Sequence, residues 1–409
     1  MKFFYENIDF KKKPNGNGFC QVSNLDWNYG HDNPIFELNN EDHIIWNLSV
    51  MGEMNSNVVE QNRNYIENAF EKIKDKPNVN LVFSNFHEGT NLNSFFSKLI
   101  LLKDQYGIPS KQIIVVTNNK YSQLFNKHGI GVIHKPYLFG FLVDHYRDLK
   151  DNSIEHNGSE IGLLKPFEYI RTPKKKFFLS YNKNTTKTFR IQLILWLIKN
   201  GMIDDSYISV LIKNNNFNIR ELNSKDVELS DLINYYEQFD KMGFNVLDWD
   251  YPNHQNDVFS NLKYTTKSHY ADTYFNIISE TSFENNSLNL TEKSFKALAN
   301  SHPFLIIGDM NSNQYLRDLG FIEYSDLIDY TFDYDPDNHR RLSNALVEVR
   351  KIYNLGGEKL IKWYRNNISK IERNREHFFT YSFSKMIDET IEDLKKKEFS
   401  LIDSYKDII

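Results

Sequence analysis

Short β-rich runs alternate with amphipathic helices along this chain, in two series separated by a stretch without rhythm. In the first series His43 to Val50 reads as a strand, Val58 to Ile73 as a helix and Asn80 to Ser84 as a strand. A helix from about Leu92 to Asp104 ends at Gly107-Ile108-Pro109, and Gln112 to Thr117 is the next strand. A short helix over Tyr121 to His128 and a strand from Gly131 to His134 complete the series. Residues before about Asn40 are polar, rich in Gly and Asn, and read as no regular element. The second series places strands at Lys176 to Ser180, Tyr207 to Ile212, Thr273 to Ser279 and Phe304 to Ile307. Its helices run from Lys187 to Asn200 and from Thr291 to Ser301, the latter closed by Pro303. Alternation of this kind buries a parallel sheet beneath helices on both faces, so the fold class is α/β with two Rossmann-like lobes.

A chain of 409 residues exceeds one ordinary core, which agrees with two lobes. The expected boundaries are a first lobe over 1–150, a linker over 151–172, a second lobe over 173–335 and a charged helical tail over 336–409, with a break at Gly356-Gly357. Hydrophobic residues at 40% and aromatics at 15% can fill two cores and argue against disorder. A net charge of -5 gives no global drive toward nucleic acid or an anionic membrane. Cys20 is the only cysteine, so no internal disulfide or cysteine metal cage can form, and a reducing, cytoplasmic setting is favoured. Met1 to Asn7 lacks the apolar core of a signal peptide. The longest apolar run, Ile191 to Ile198, is far short of the roughly 20 residues that span a bilayer, so no membrane span is expected.

Two constellations carry chemistry. In the first, the strand ending at Ser180 leads through Tyr181, Asn182, Lys183 and Asn184 into a helix that opens with Lys187 and Arg190. Cations at a helix N-terminus oppose its dipole, at about 0.3–1 kcal/mol each. A bound anion resolves that conflict, and a solvated charge run is the plainer reading. In the second, Phe275 to Ser282 includes Glu280 and Ser282, and a polar loop then leads to Thr291-Glu292-Lys293. Thr291 suits an N-cap, which puts Glu292 and Lys293 in the first helical turn. A carboxylate there can accept two ribose hydroxyls and a lysine can neutralise a diphosphate, or the helix is simply a capped one whose acid complements the dipole.

The run from Phe275 through Thr291-Glu292-Lys293 to Pro303-Phe304-Leu305-Ile306-Ile307-Gly308 resembles the donor-binding segment of the fucosyltransferase-like GT-B glycosyltransferases. The block holding Asn182, Lys187 and Arg190 is similar to the same family's strand–loop–helix, whose arginine contacts donor phosphate. Gln314 to Phe321 resembles a stretch shared by related viral and bacterial proteins, which would make the compartment a host cytoplasm for a virus-encoded chain. The likeness spans roughly Phe177 to Asp329. It departs from the family in a longer loop from Glu280 to Thr291, in Thr281 for an asparagine and in Ala299-Asn300 for an Ala-Gly pair, so fucose itself is not implied.

The resemblance implies an acceptor-side first lobe, a donor-side second lobe and a cleft between them. It also implies that a sugar passes from a nucleotide-diphosphate sugar to an acceptor hydroxyl with inversion, without metal or another cofactor. Lys293 and Arg190 would bind the diphosphate, Glu292 the ribose, and Glu280 would face the sugar. A general base should come from the loop after the strand Asn80 to Ser84, where Glu88 is the first candidate and His87 its rival. Asn118 and Asn119 lie after the next strand and can contact the acceptor. The acceptor is a glycan or, as in phage-type enzymes, a modified nucleobase that Lys11-Lys12-Lys13 and Lys174-Lys175-Lys176 would help to hold. A non-catalytic nucleotide-binding protein is the rival of another class. Asp248-Trp249-Asp250 imitates a paired-acid metal motif, but Tyr251-Pro252 reads as a turn. No nucleophile elbow and no Walker-type loop is present.

Overall fold

The computed structural model describes residues 2–7, 28–29, 44–49, 59–60, 63–85, 93–147, 149–150, 153–156, 159–182, 187–210, 265–284 and 287–397. The chain falls into two compact units. One comprises Met1–Phe141, Glu284–Leu290 and Tyr381–Ile409, and the other Leu142–Phe283 and Thr291–Thr380. Both are α/β, each built on a parallel sheet.

The first unit holds β1 (Lys2–Asn7), β2 (Asn28–Tyr29), β3 (Ile44–Ser49), β4 (Val79–Asn85), β5 (Ile113–Thr117) and β6 (Gly131–His134). They lie in the order β2-β1-β3-β4-β5-β6, every neighbouring pair parallel. In β4, β5 and β6 the side chains alternate between two apolar faces, as a sheet covered on both sides requires. Leu81, Phe83, Val115 and Val132 pack with Ile66, Phe70 and Ile73 of the helix Arg63–Ile73 and with Phe95, Phe96 and Leu99 of the helix Asn93–Gln105. Val82, Ile114, Val116 and Ile133 pack instead with Tyr137 and with Met386, Ile387, Ile391 and Leu394 of the helix Phe383–Lys396. Gly140 permits this approach, since a Cβ there would come 2.8 Å from the backbone nitrogen of Phe383.

β1 corrects the expectation that nothing regular precedes Asn40: Phe3 pairs with Ile45 and Tyr5 with Asn47, so its partner lies some forty residues away and leaves no local rhythm. The helix Tyr137–Arg147 also escaped the reading, because Tyr-Leu-Phe-Gly-Phe-Leu-Val is apolar all round and has no polar face to set a period. Lys120–His128 is a 3-10 helix, opened by Asn119, whose side chain accepts from the Tyr121 amide.

The second unit holds β9 (Lys176–Asn182), β10 (Ser206–Val210), β11 (Thr273–Ser279) and β12 (Phe304–Ile307) in the parallel order β10-β9-β11-β12. The helix Thr188–Lys199 buries Phe189, Ile191, Leu193, Ile194, Leu195 and Leu197 on more than one face, which is why its sequence is apolar nearly throughout. Residues 151–172 contain the antiparallel pair β7 (Ile154–His156) and β8 (Ser159–Ile161) and a helix, Pro166–Arg171, opened by a proline at its first turn. Tyr169 of that helix stacks on Tyr364 with ring centroids 4.0 Å apart, and its hydroxyl donates to the Tyr274 carbonyl at 2.5 Å. The helices Asn338–Leu355, Gly357–Asn366 and Ile368–Phe379 belong to this unit, whereas Phe383–Lys396 belongs to the first. Among the described residues no helix is long and apolar enough to cross a membrane.

Candidate functional site

Parallel α/β sheets present their ligands at the carboxyl ends of the strands. In the second unit those ends include Asn182, Ser279 and Ile307. A buried polar rung ties the first two together. Ser180 Oγ donates to the Ile277 carbonyl at 2.8 Å, Asn182 Nδ2 donates to Ser180 Oγ at 2.9 Å, and Ser279 Oγ donates to Asn182 Oδ1. Arg190 reaches in from the helix Thr188–Lys199, with Nη2 donating to the carbonyls of Ser279 at 3.1 Å and Glu280 at 2.7 Å. The Glu280 amide donates to the Ile307 carbonyl, which carries the β11–β12 pairing one residue past the strand.

Glu280 is only 1% exposed, so its carboxylate must be paired. It accepts from the Thr291 amide at 3.1 Å, from Thr291 Oγ1 at 2.6 Å and from Ser294 Oγ at 2.5 Å. All three donors belong to the start of the helix Glu292–Ala299, whose dipole also favours a negative charge there. Thr291 stands at the N-cap position, as its type suggests, but the cap is reversed: its hydroxyl donates to Glu280, and Glu280 receives the helix start. The carboxylate is thus turned into the fold at this edge, held by the helix that follows eleven residues later.

The next two residues form an adjacent ion pair. Lys293 Nζ lies 2.9 Å from Glu292 Oε1 and 3.4 Å from Thr291 Oγ1. Lys293 is buried and Glu292 half-buried, so the pair is held on the rim of the cluster. Asn182, Arg190, Glu280, Thr291, Glu292 and Lys293 therefore form one connected polar array at a single sheet edge. Lys187 joins it only through the backbone: its carbonyl accepts from the Arg190 amide, while its side chain is exposed and makes no cap. Ser282 is half-buried on the loop leaving Glu280. Glu88, His87, Lys183 and Asp248-Trp249-Asp250 lie outside the described residues, as do Lys11-Lys12-Lys13.

Other residues organise this edge, of which the sequence marked Gly308 only as the end of the resembling run and gave no sign of Arg341. Gly308 follows β12, and a Cβ on it would come 2.7 Å from Ser312 Oγ and 3.2 Å from the Glu280 Cβ. Arg341, 2% exposed in the helix Asn338–Leu355, donates to the carbonyls of Phe283 at 2.6 Å, Gly308 at 3.1 Å and Asp335 at 2.8 Å. Its guanidinium lies 4.5 Å over the Phe283 ring, which in turn stacks on Phe189 at 4.6 Å. One cation thus ties the loop after Glu280 to the residue that follows β12, from 58 residues downstream of Phe283. Asp333 receives the helix Ser312–Asp318 through the amides of Asn313 and Gln314, and burial pushes its carboxyl up to about 6 against those hydrogen bonds.

No family model matches the chain. No curated protein matches it either. Among solved structures it is similar to a UDP-forming alpha,alpha-trehalose-phosphate synthase from Burkholderia xenovorans, at 9% identity and a TM-score of 0.40 over 88% of this chain and 74% of that one. A superposition this loose decides neither fold nor activity.

Proposed function

We propose that the protein is a GT-B type glycosyltransferase that moves a sugar from a nucleotide diphosphate to an acceptor hydroxyl. The observation that carries this reading is the connected array of Arg190, Glu280, Thr291, Glu292 and Lys293 at the carboxyl edge of the second sheet. In it, Glu280 and Arg190 order the strand end and the helix start, and the Glu292–Lys293 pair is the group offered to a ligand. Lys293 would exchange part of its pairing with Glu292 for a diphosphate oxygen, leaving the Glu292 carboxylate to accept ribose hydroxyls. In the reaction, the acceptor oxygen bonds to the anomeric carbon as the bond from that carbon to the diphosphate breaks, with inversion. The acceptor proton passes to a base, for which Glu88 is the candidate and His87 the rival, and the charge growing on the diphosphate is stabilised by Lys293. Such a site needs no divalent cation to neutralise the leaving group.

A thermal-shift screen against nucleotide diphosphates and their sugar conjugates tests the reading. Ligand at a hundred times its Kd should stabilise the fold by about 2.7 kcal/mol. Lys293→Ala is expected to weaken the affinity by about tenfold, which lowers that stabilisation to about 1.4 kcal/mol at the same ligand concentration. A flat response to every nucleotide from the folded protein would sink the assignment.

A further inference from the structure

The first unit has its own carboxyl edge, and it carries a different chemistry. Beyond β5, Thr117 Oγ1 accepts from the Asn119 amide at 3.1 Å. Asn119 Oδ1 accepts from the amides of Tyr121 at 3.0 Å and Leu288 at 3.1 Å, and the Lys120 amide donates to the Leu288 carbonyl at 2.9 Å. His134, at the end of β6, is hydrogen-bonded through Nε2 to the Asn118 carbonyl. Since a carbonyl only accepts, that ring nitrogen carries the proton. Burial pushes the imidazole down to about 3, so the ring is neutral near pH 7. Backbone and side chains thus clamp the segment around Leu288 to the end of β5.

Asn289 stands next to that clamp. It is 6% exposed, and neither its amide nitrogen nor its amide oxygen has a hydrogen-bond partner. Ser122, two residues beyond Lys120 in the opening turn of the 3-10 helix, is 1% exposed with its hydroxyl equally unpartnered. One strand across, at the same edge, the hydroxyl of Ser84 is buried and unpartnered too. Buried polar groups in folded proteins are nearly always satisfied, and a group left open at a sheet edge where ligands bind asks for an outside partner. The open groups are a carboxamide and hydroxyls. Each can both donate and accept and none carries a charge, which suits hydroxyls that donate and accept at once and gives an anion no reward.

We infer that the carboxyl edge of the first sheet binds an uncharged, hydroxyl-rich ligand through Asn289 and Ser122. The site stands on the first unit alone; it rests on the glycosyltransferase reading only for the further step that this ligand is the sugar acceptor.

The test uses the full chain. Thermal melts are recorded alone, with neutral probes (glucose, galactose, mannose and maltose), and with the charged probes glucose 6-phosphate and glucuronate. At least one neutral probe should raise the Tm more than either charged one. Asn289→Ala and Ser122→Ala should each raise the probe concentration needed for a given Tm rise by about tenfold. Asn289→Leu removes the open amide and keeps the bulk, so it should raise the Tm of the ligand-free protein while abolishing the sugar response. The inference is overturned if no neutral probe acts on the wild type, or if the response survives in Asn289→Leu. It is equally overturned if Asn289→Leu lowers the ligand-free Tm, the mark of an amide satisfied by enclosed water. Nucleotide diphosphates run in parallel separate the two readings. A sugar response without a nucleotide response would sink the glycosyltransferase and keep this site, and the converse would do the reverse.

Discussion

Glu280 shows how much one buried carboxylate can organise. Its three hydrogen bonds span the eleven residues between the end of β11 and the start of the next helix. Glu280→Ala leaves the Thr291 amide, Thr291 Oγ1 and Ser294 Oγ without their acceptor, and should cost about 3 kcal/mol in urea unfolding. Glu280→Gln keeps one acceptor oxygen and should cost less. Equal stability of wild type and Glu280→Ala would show that the carboxylate does not hold the helix start. The local sequence announced half of this arrangement. Thr291-Glu292-Lys293 is recognisable because a capping residue followed by an acid and a cation has a physical meaning at a helix start. That Glu280 turns inward to meet it was not legible, because spacing along a chain says which residues are near and not which way a carboxylate points. Arg341 was hidden for a simpler reason: it reads as one more charge in a charged helix, and its distant acceptors are backbone carbonyls up to 58 residues away.

At the level of elements, strands and helices with a clear period were legible, and the rest was supplied by pairing at a distance. β4, β5, β6, β11 and β12 are bounded within a residue or so of where their apolar runs begin and end. β1 and the helix Tyr137–Arg147 were not, one because its partner is remote and the other because it has no polar face. The helix Phe383–Lys396 is amphipathic by inspection, yet nothing local assigns its apolar face to β4, β5 and β6 rather than to the nearer sheet. Ile387 is fully buried there, and Ile387→Ala should destabilise by about 2–4 kcal/mol. Hydrogen exchange should show the loss in β4 and β5 while β9 and β11 keep their protection. Loss confined to the second sheet would refute the packing assignment.

For the molecule as a whole, the two units should answer pH differently. His134 in the first and His302 in the second are both pushed down to about 3, by burial first and by nearby lysines next. An imidazole whose folded pKa lies below its unfolded value stabilises the fold above about 6.5, and that contribution is lost as pH falls toward 3. The second unit has a counterweight. Asp333, raised to about 6 by burial, binds its proton more tightly when folded, so its contribution is present in acid and fades as pH rises through 6. Lys174, lowered by burial to about 7 where it donates to the Ala271 carbonyl, makes the same unit gain stability from pH 7 to 10.5. Asp333→Asn removes that counterweight, so the Tm of this variant should fall more steeply than that of the wild type as pH drops below 6, and parallel curves would contradict the assignment.

Neither unit is a continuous stretch of chain: the path changes sides after Phe141, Phe283, Leu290 and Thr380. On a ribosome this becomes a timetable. The second unit has all its residues once Thr380 has emerged, while the first waits for the helix Phe383–Lys396, although its sheet was translated at the outset. For that interval Val82, Ile114, Val116 and Ile133 keep Tyr137 but lack Met386, Ile387, Ile391 and Leu394. A fragment ending at Phe141 should consequently be unfolded or aggregated, and adding a synthetic 381–409 peptide should restore part of its secondary structure in circular dichroism. The last helix is in this sense the closing step of the unit that was begun first.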